Sequence, residues 1–352
     1  MSEWEGEEDL QEEELFEHHR FVADAGQGLL RIDKFLNNLL GRTSRNKIQE
    51  AARAGSVRVN EKAVKPNYKV KPGDVVQIVL AHPPREIDLI PENIPLQIVY
   101  EDADVCVINK PAGMVVHPAY GHYQGTLVNA LLYHIQQLPE GSASERPGLV
   151  HRLDKGTSGI MVLALNEYAM SHLSNQFFER TTERLYTALV WGDVAEEQGR
   201  IEGHIGRSLQ DRKQMAVFPD GSQGKHAVTH YRVLQRFGFA TLVECKLETG
   251  RTHQIRVHMK YLGHPVFGDE RYGGDRVLKG LNTAKYKQFV QNCLEIMPHQ
   301  ALHARTLGFT HPISGERLHF SSELPDDMQT VVDKWITYSK AYSGDLPHNF
   351  GE

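Results

Sequence analysis

The residue best placed to do chemistry is Asp154. From Gly148 to Ala164 the chain reads Gly-Leu-Val-His-Arg-Leu-Asp-Lys-Gly-Thr-Ser-Gly-Ile-Met-Val-Leu-Ala. A polar loop with glycines at 148, 156 and 159 leads into an apolar, strand-like run. Glycine permits positive φ or the close approach of another backbone, so the carboxylate stands on a shaped loop at a strand entrance. A carboxylate presented this way can serve as nucleophile or general base. The same spacing equally suits an ordinary structural turn. The nearest generic motifs, G-x-x-x-x-G-K-[ST], G-x-S-x-G and H-E-x-x-H, are absent.

The elements that must position this loop follow from periodicity. Strand-like runs recur at 96–100, 105–109, 160–165, 185–191, 228–236, 240–248 and 302–309. Helical patterns fall at 126–137, 167–179, 252–262, 283–295 and 325–339. Strands outnumber helices and some are joined by short turns, which predicts an α+β domain on a mixed, largely antiparallel sheet. Upstream, Ile32, Phe35, Leu36, Leu39 and Leu40 lie at helical spacing before Gly41. Ser44 then caps a second helix over 45–54, ended by Gly55. An alternating strand at 56–60, a turn at Asn60-Glu61, a return toward Val64 and a strand at 75–80 complete a small α/β domain. The expected organisation is a disordered acidic tail at 1–20, this small domain at 21–81, a Pro-rich linker at 82–95, a larger domain at 96–340 and a tail at 341–352.

The formal charge of −6 is unevenly distributed. Residues 1–17 hold nine acids and no Lys or Arg, so the remainder of the chain carries +3. Residues 31–80 have eleven Lys/Arg against four Asp/Glu. Screening limits the reach of charge to about 8 Å in physiological salt, so a partner responds to the local basic field. Arg42, Arg45, Lys47, Arg53, Arg58 and Lys62 fall on the second helix and adjoining turns and are the candidate nucleic-acid contacts of that domain. No apolar run approaches the roughly 20 residues of a membrane helix, and the N-terminus lacks a basic-then-apolar signal. The three cysteines are widely spaced and suggest neither disulfides nor zinc. A cytoplasmic monomer without membrane or metal partner is expected. Among the nineteen histidines, His253/His258 and His299/His303 have no third ligand at metal spacing.

The central motif resembles that of the RluA/RluD-type large-subunit ribosomal RNA pseudouridine synthases, where HRLD-x-x-[ST]-[ST]-G carries the catalytic aspartate. The segments 108–118, 184–192, 247–258, 268–273 and 300–304 resemble further motifs of that family in the same order. The basic domain is similar to the RNA-binding domain of small-subunit ribosomal protein four. The resemblance implies a pseudouridine synthase fold, large-subunit ribosomal RNA as substrate, and no cofactor. It assigns Asp154 as the reactive carboxylate and Tyr186 as an aromatic against the uracil, although alternation along its strand also suits a core residue. Arg251, just ahead of a helix that Thr252 could cap, is expected to pair with Asp154. Arg152 and Lys110 are expected to support the active site, and Arg152, Lys110, Arg207, Arg212 and Lys213 to face RNA. The target uridine is expected to be flipped out of its stem.

Two positions depart from the pattern. Asn60-Glu61 stands where Asn-Gly would suit a type I′ turn better. His299 stands where the family usually has Arg, which puts one RNA contact in doubt. Two rival functions remain open: an RNA-binding assembly factor without activity, and a nucleosidase that releases the base with a second carboxylate.

Overall fold

The computed structural model describes residues 16–40, 43–80, 89–118, 122–134, 148–211 and 214–342. The chain divides into two units, Met1–Glu86 and Ile87–Glu352.

In the first unit, strands β1 (Phe16–Val22), β6 (Val75–Leu80), β3 (Val57–Val59) and β4 (Lys62–Ala63) form an antiparallel sheet in the order β1-β6-β3-β4. A short pair, β2 (Leu30–Arg31) and β5 (Lys69–Val70), lies beside helices α1 (Ile32–Leu39) and α2 (Arg45–Arg53). Ile32, Phe35 and Leu36 of α1 pack with Ile48 and Ala52 of α2 on Val57, Val59, Val70 and Val76. The Ser44 hydroxyl accepts from the Lys47 amide, as an N-cap should. Asn60 and Glu61 both take positive φ, 48° and 70°. The Asn60 side chain explains its presence there: Oδ1 accepts from the Val75 amide at 2.9 Å and Nδ2 donates to Asp74 Oδ1 at 3.0 Å.

Three expected boundaries need correction. Residues 16–20, assigned above to the acidic tail, belong to β1, because backbone pairing with β6 holds them. That pairing leaves little trace in composition, since β1 buries few side chains. Residues 1–15 lie outside the described residues, as do 82–88 of the expected linker. The rest of that linker is hydrogen-bonded to helix α3 (Leu127–His134) and the loop before it. Asn129 Nδ2 donates to the Ile90 carbonyl at 2.8 Å, the Glu92 amide donates to the Asn129 carbonyl at 2.9 Å, and the Gly125 amide donates to Glu92 Oε1 at 2.9 Å. Residues 89–95 are therefore part of the second unit. At the other end, residues 341–342 continue the last helix, and 343–352 lie outside the described residues.

The second unit is built on a sheet of ten strands among the described residues. These are β7 (Ile98–Glu101), β8 (Val105–Lys110), β9 (Ser158–Ala164), β10 (Glu183–Trp191), β11 (Gln198–Arg207), β12 (Met215–Phe218), β13 (Lys225–Arg236), β14 (Ala240–Leu247), β15 (Leu302–Thr310) and β16 (Arg317–Ser321). Their order is β12-β11-β13-β14-β10-β15-β9-β8-β7, with β16 paired to β15. Every pair is antiparallel except β9 with β15. The mixed, largely antiparallel α+β architecture is thus observed.

Both faces of the central strands are covered. On one face Val105, Val107, Ile160 and Val162 pack with Leu173 of α4 (Glu167–Glu179). On the other, Cys106, Ile108, Met161 and Leu163 join a core with Trp191, Tyr286 of α6 (Ala284–Ile296) and Trp335 of α7 (Asp326–Tyr342). This is why β9 reads as an unbroken apolar run rather than an alternation. No described helix is long and apolar enough to cross a membrane.

Candidate active site

Asp154 lies on the loop that enters β9, and the loop is fixed from several directions. The Thr157 amide donates back to the Asp154 carbonyl at 3.0 Å, closing a tight turn. Gln300 Nε2 donates to Thr157 Oγ1 at 3.2 Å. Gly159, at φ +122°, stands against β15 so closely that a β-carbon would lie 2.3 Å from the Ala304 carbonyl oxygen. Behind the loop, Lys110 at the end of β8 is buried, and its Nζ donates to the carbonyls of Pro111 (2.8 Å), Met114 (2.9 Å) and Lys155 (3.4 Å). Burial lowers its pKa to about 7, against the opposing pull of Asp154. Lys110 therefore braces the backbone beside Asp154 and does not face RNA, contrary to that part of the expectation.

The cation paired with Asp154 is Arg256. Its Nη1 donates to Asp154 Oδ2 at 3.0 Å, while Nε and Nη2 grip Asp269 Oδ2 and Oδ1 at 2.6 and 2.8 Å. Asp269 is fully buried, and the Arg256 guanidinium also stacks over the Tyr272 ring at 5.0 Å. The expected pairing of Arg251 with Asp154 is corrected by this geometry. Arg251 precedes helix α5 (Gln254–Tyr261), and its Nε donates to the His226 carbonyl at 3.0 Å. Arg256 lies inside α5, on the part of the helix that meets Asp154. The two arginines, of equal chemistry, are five positions apart, and only the helix start decides between them. That start is His253, in the left-handed region at φ 56°, rather than Thr252. The loop before it is tied down by Gln254, whose Oε1 accepts from the Arg251 amide and the Thr249 hydroxyl.

His253 is a neighbour of Asp154 that sequence reasoning treated only as one of many histidines. Its Nε2 stands 3.8 Å from Asp154 Oδ1, and its Nδ1 is 2.8 Å from the Tyr272 hydroxyl. That hydroxyl also accepts from the Met215 amide at 3.1 Å, which fixes its position beside the ring. Burial lowers the imidazole pKa to about 4, so the ring is uncharged at neutral pH.

Asp154, Arg256 and His253 line a cavity of about 420 Å³. The Asp154 side chain is 19% exposed, so the carboxylate is reachable. Tyr186 of β10 lines the same cavity, and burial raises its phenol pKa above the ordinary value, with Arg184 opposing. Its hydroxyl has no hydrogen-bond partner among the described residues. Arg152, Arg180, Arg184 and Arg251 add positive charge to the walls, and Phe178, 84% exposed, stands at the rim. Arg207 is exposed at the end of β11 and does not line the cavity.

In the first unit, Lys47, Arg53 and Lys62 are exposed, and Arg58 is half-buried. Arg45 is partly neutralised, because its Nη2 donates to buried Asp33 at 2.9 Å. Arg42, Arg212 and Lys213 lie outside the described residues. The histidines raised as metal candidates serve local bonds. His299 pairs with Asp327 of α7 at 2.8 Å, and His303 links the hydroxyls of Ser158 and Ser322. Asp102, Asp104 and His311 also cluster, but the Ser314 amide donates to His311 Nδ1. The ring proton is therefore on Nε2, the atom facing Asp102, which leaves no lone pair for a metal there.

Residues 104–261 match the family described as RNA pseudouridylate synthase, and residues 30–76 match the S4 domain. A Chlorobaculum parvum protein named as an uncharacterized RNA pseudouridine synthase is 48% identical over 315 residues, covering 89% of this chain and 96% of that protein. The ribosomal large subunit pseudouridine synthase D of Zymomonas mobilis is 43% identical over 304 residues, covering 86% of this chain and 92% of that protein. Among solved structures, human RNA pseudouridylate synthase domain containing 4 is similar at 25% identity with a TM-score of 0.50, across 68% of this chain and 93% of that one.

Proposed function

The chain belongs to the RNA pseudouridine synthase family, and from that premise we propose that it converts uridines of large-subunit ribosomal RNA to pseudouridine in the cytoplasm, with Asp154 as the attacking carboxylate. The observation that carries this reading is the arrangement of Asp154: reachable from a cavity of about 420 Å³, oriented by Arg256, and sharing that cavity with Tyr186. The reaction breaks the bond from C1′ to N1, turns the base and joins C1′ to C5. The C5 proton leaves and N1 takes one up, so the product is an isomer and neither redox nor phosphoryl chemistry is needed. A carboxylate can act on the sugar or the ring while the freed base stays enclosed. Tyr186, kept protonated by burial, supplies a flat face and a hydroxyl for that base. Unstacking the uridine costs a few kcal/mol, which stacking and phosphate contacts offset.

The same site argues against the hydrolytic rival. A nucleosidase needs a second carboxylate free to activate water. The second carboxylate in this network, Asp269, is buried and held by Nε and Nη2 of Arg256. An inactive binding factor would have no use for a carboxylate held open to a cavity. The S4 unit supports an RNA partner through exposed Lys47, Arg53 and Lys62.

The test is pseudouridine mapping of large-subunit ribosomal RNA from cells lacking the gene, complemented with wild type or Asp154→Asn. We expect one or more sites to vanish, to return with wild type, and to stay absent with Asp154→Asn. The purified variant should lose about three orders of magnitude or more in rate, yet bind RNA within about a few-fold of wild type. Full activity in that variant overturns the role of Asp154, and an unchanged map overturns the choice of substrate.

A further inference from the structure

A second cation in the cavity is prepared for a ligand that the protein itself does not supply. Arg184 lies two residues before Tyr186 on β10, so both side chains leave the same face of the strand, about 6.6 Å apart along it. Both line the cavity that holds Asp154. The Arg184 guanidinium sits over the Phe177 ring, 5.4 Å from its centroid. Phe177 is in turn stacked on His151 at 4.5 Å, and His151 is fixed by the Val162 amide, which donates to its Nε2 at 3.1 Å. Burial, with Arg184 nearby, takes the His151 imidazole down to about 3, so the stack carries one charge, that of the arginine. Gly250 leaves the room: a β-carbon there would lie 3.2 Å from Arg184 Nη1.

No acid answers this seated guanidinium. Among the described residues Arg184 makes neither hydrogen bond nor ion pair, and its Nε is buried without a partner. Its neighbours differ: Glu183 is matched by Arg317, and Arg256 by two aspartates. A buried donor without an acceptor is unfavourable, so a ligand that supplies one is drawn to it. Its fork is suited to an anion with two acceptor oxygens, which is how guanidinium recognises phosphate. With a base against Tyr186 and its sugar at Asp154, the anion within reach is the backbone phosphate of that nucleotide.

We propose that Arg184 clamps a backbone phosphate of the flipped-out nucleotide and so sets its depth in the cavity. The proposal rests on the chain acting on RNA at Asp154. Its test uses a stem-loop RNA on which the wild-type enzyme forms pseudouridine, so failure of the function itself appears before Arg184 is altered. Phosphates flanking the target are replaced one at a time by methylphosphonate, which removes the charge. Binding and single-turnover rates are measured for wild type, Arg184→Met and Arg184→Lys. One replacement should weaken wild-type binding about tenfold or more and Arg184→Met less than about twofold, because the charge it removes already has no partner in that variant. Arg184→Lys, which keeps a charged donor over Phe177, should recover part of the penalty. The penalty is a ratio within each variant, so a uniform loss of folded protein does not move it. Equal penalties in all three proteins overturn the assignment.

Discussion

Arg256 reaches Asp154 across 102 residues of chain, with Nη1 3.0 Å from Oδ2. The arginine is not free to follow the carboxylate, because its other two nitrogens are fixed on buried Asp269. The direction of the Asp154 carboxylate is thereby set by a residue that is itself almost wholly buried.

Arg256→Lys should accordingly cost more than a charge-conserving change suggests. An ammonium cannot hold Asp269 with two parallel bonds and still reach Asp154. We expect kcat to fall by about 10²-fold or more while KM for RNA changes little, since the loss is one of orientation. Single-turnover kinetics against RNA titration separate the two. A KM effect alone would place Arg256 in RNA binding instead.

Gly159→Ala addresses how the loop is held. The substitution puts a β-carbon 2.3 Å from the Ala304 oxygen at a φ of +122°. The backbone must shift at the one parallel strand pair of the sheet among the described residues. A loss of about 3 kcal/mol is expected, read from denaturant midpoints. Wild-type stability in this variant would mean β9 and β15 are less tightly apposed.

Acid should loosen the first unit through Asp33. Burial alone would raise its carboxyl pKa, but hydrogen bonds from Gln49, Arg45 and Arg31 outweigh burial and hold it at about 2, against the ordinary 3.8. A depressed acid adds stability that is complete above its ordinary value and is lost as pH falls through the folded value, here from about 4 to 2. The contribution is about 2 kcal/mol. Hydrogen exchange of the α1 and α2 amides should show wild type and Asp33→Asn converging over that interval. A constant difference would assign the effect to shape rather than charge.

Removing residues 1–80 should weaken binding to ribosomal RNA and flatten its salt dependence. For every phosphate that no longer meets a cation, the logarithmic slope should fall by about 0.7–0.9. Arg45 should count for less than Lys47 or Arg53 in single-site variants, because Asp33 already answers part of its charge. An unchanged slope would remove the basic unit from the binding surface.

Much of this protein was legible along the chain. Helix α4 and strand β6 fall where periodicity places them, at 167–179 and 75–80. Their patterns are local, so no distant neighbour is needed to read them. Strands β11, β12 and β16 escape that reading. In β11, Gly199, Gly203 and Gly206 interrupt the alternation for packing reasons: a β-carbon at 199 would meet the Tyr231 ring, and one at 203 would meet Val217. Those neighbours come from other strands. The same limit explains β1, which exists because β6 accepts its backbone.

The amino-acid order alone determined that a carboxylate stands at position 154 between glycines, that a basic module precedes the larger domain, and that the sheet is mixed. Each of these is a property of neighbouring residues or of a repeated period. Which arginine meets Asp154, that Lys110 is hidden, and that His253 faces the carboxylate were decided only when remote segments came together. Distances between side chains far apart in sequence depend on where a helix begins and which strands lie side by side, and no local pattern carries that information.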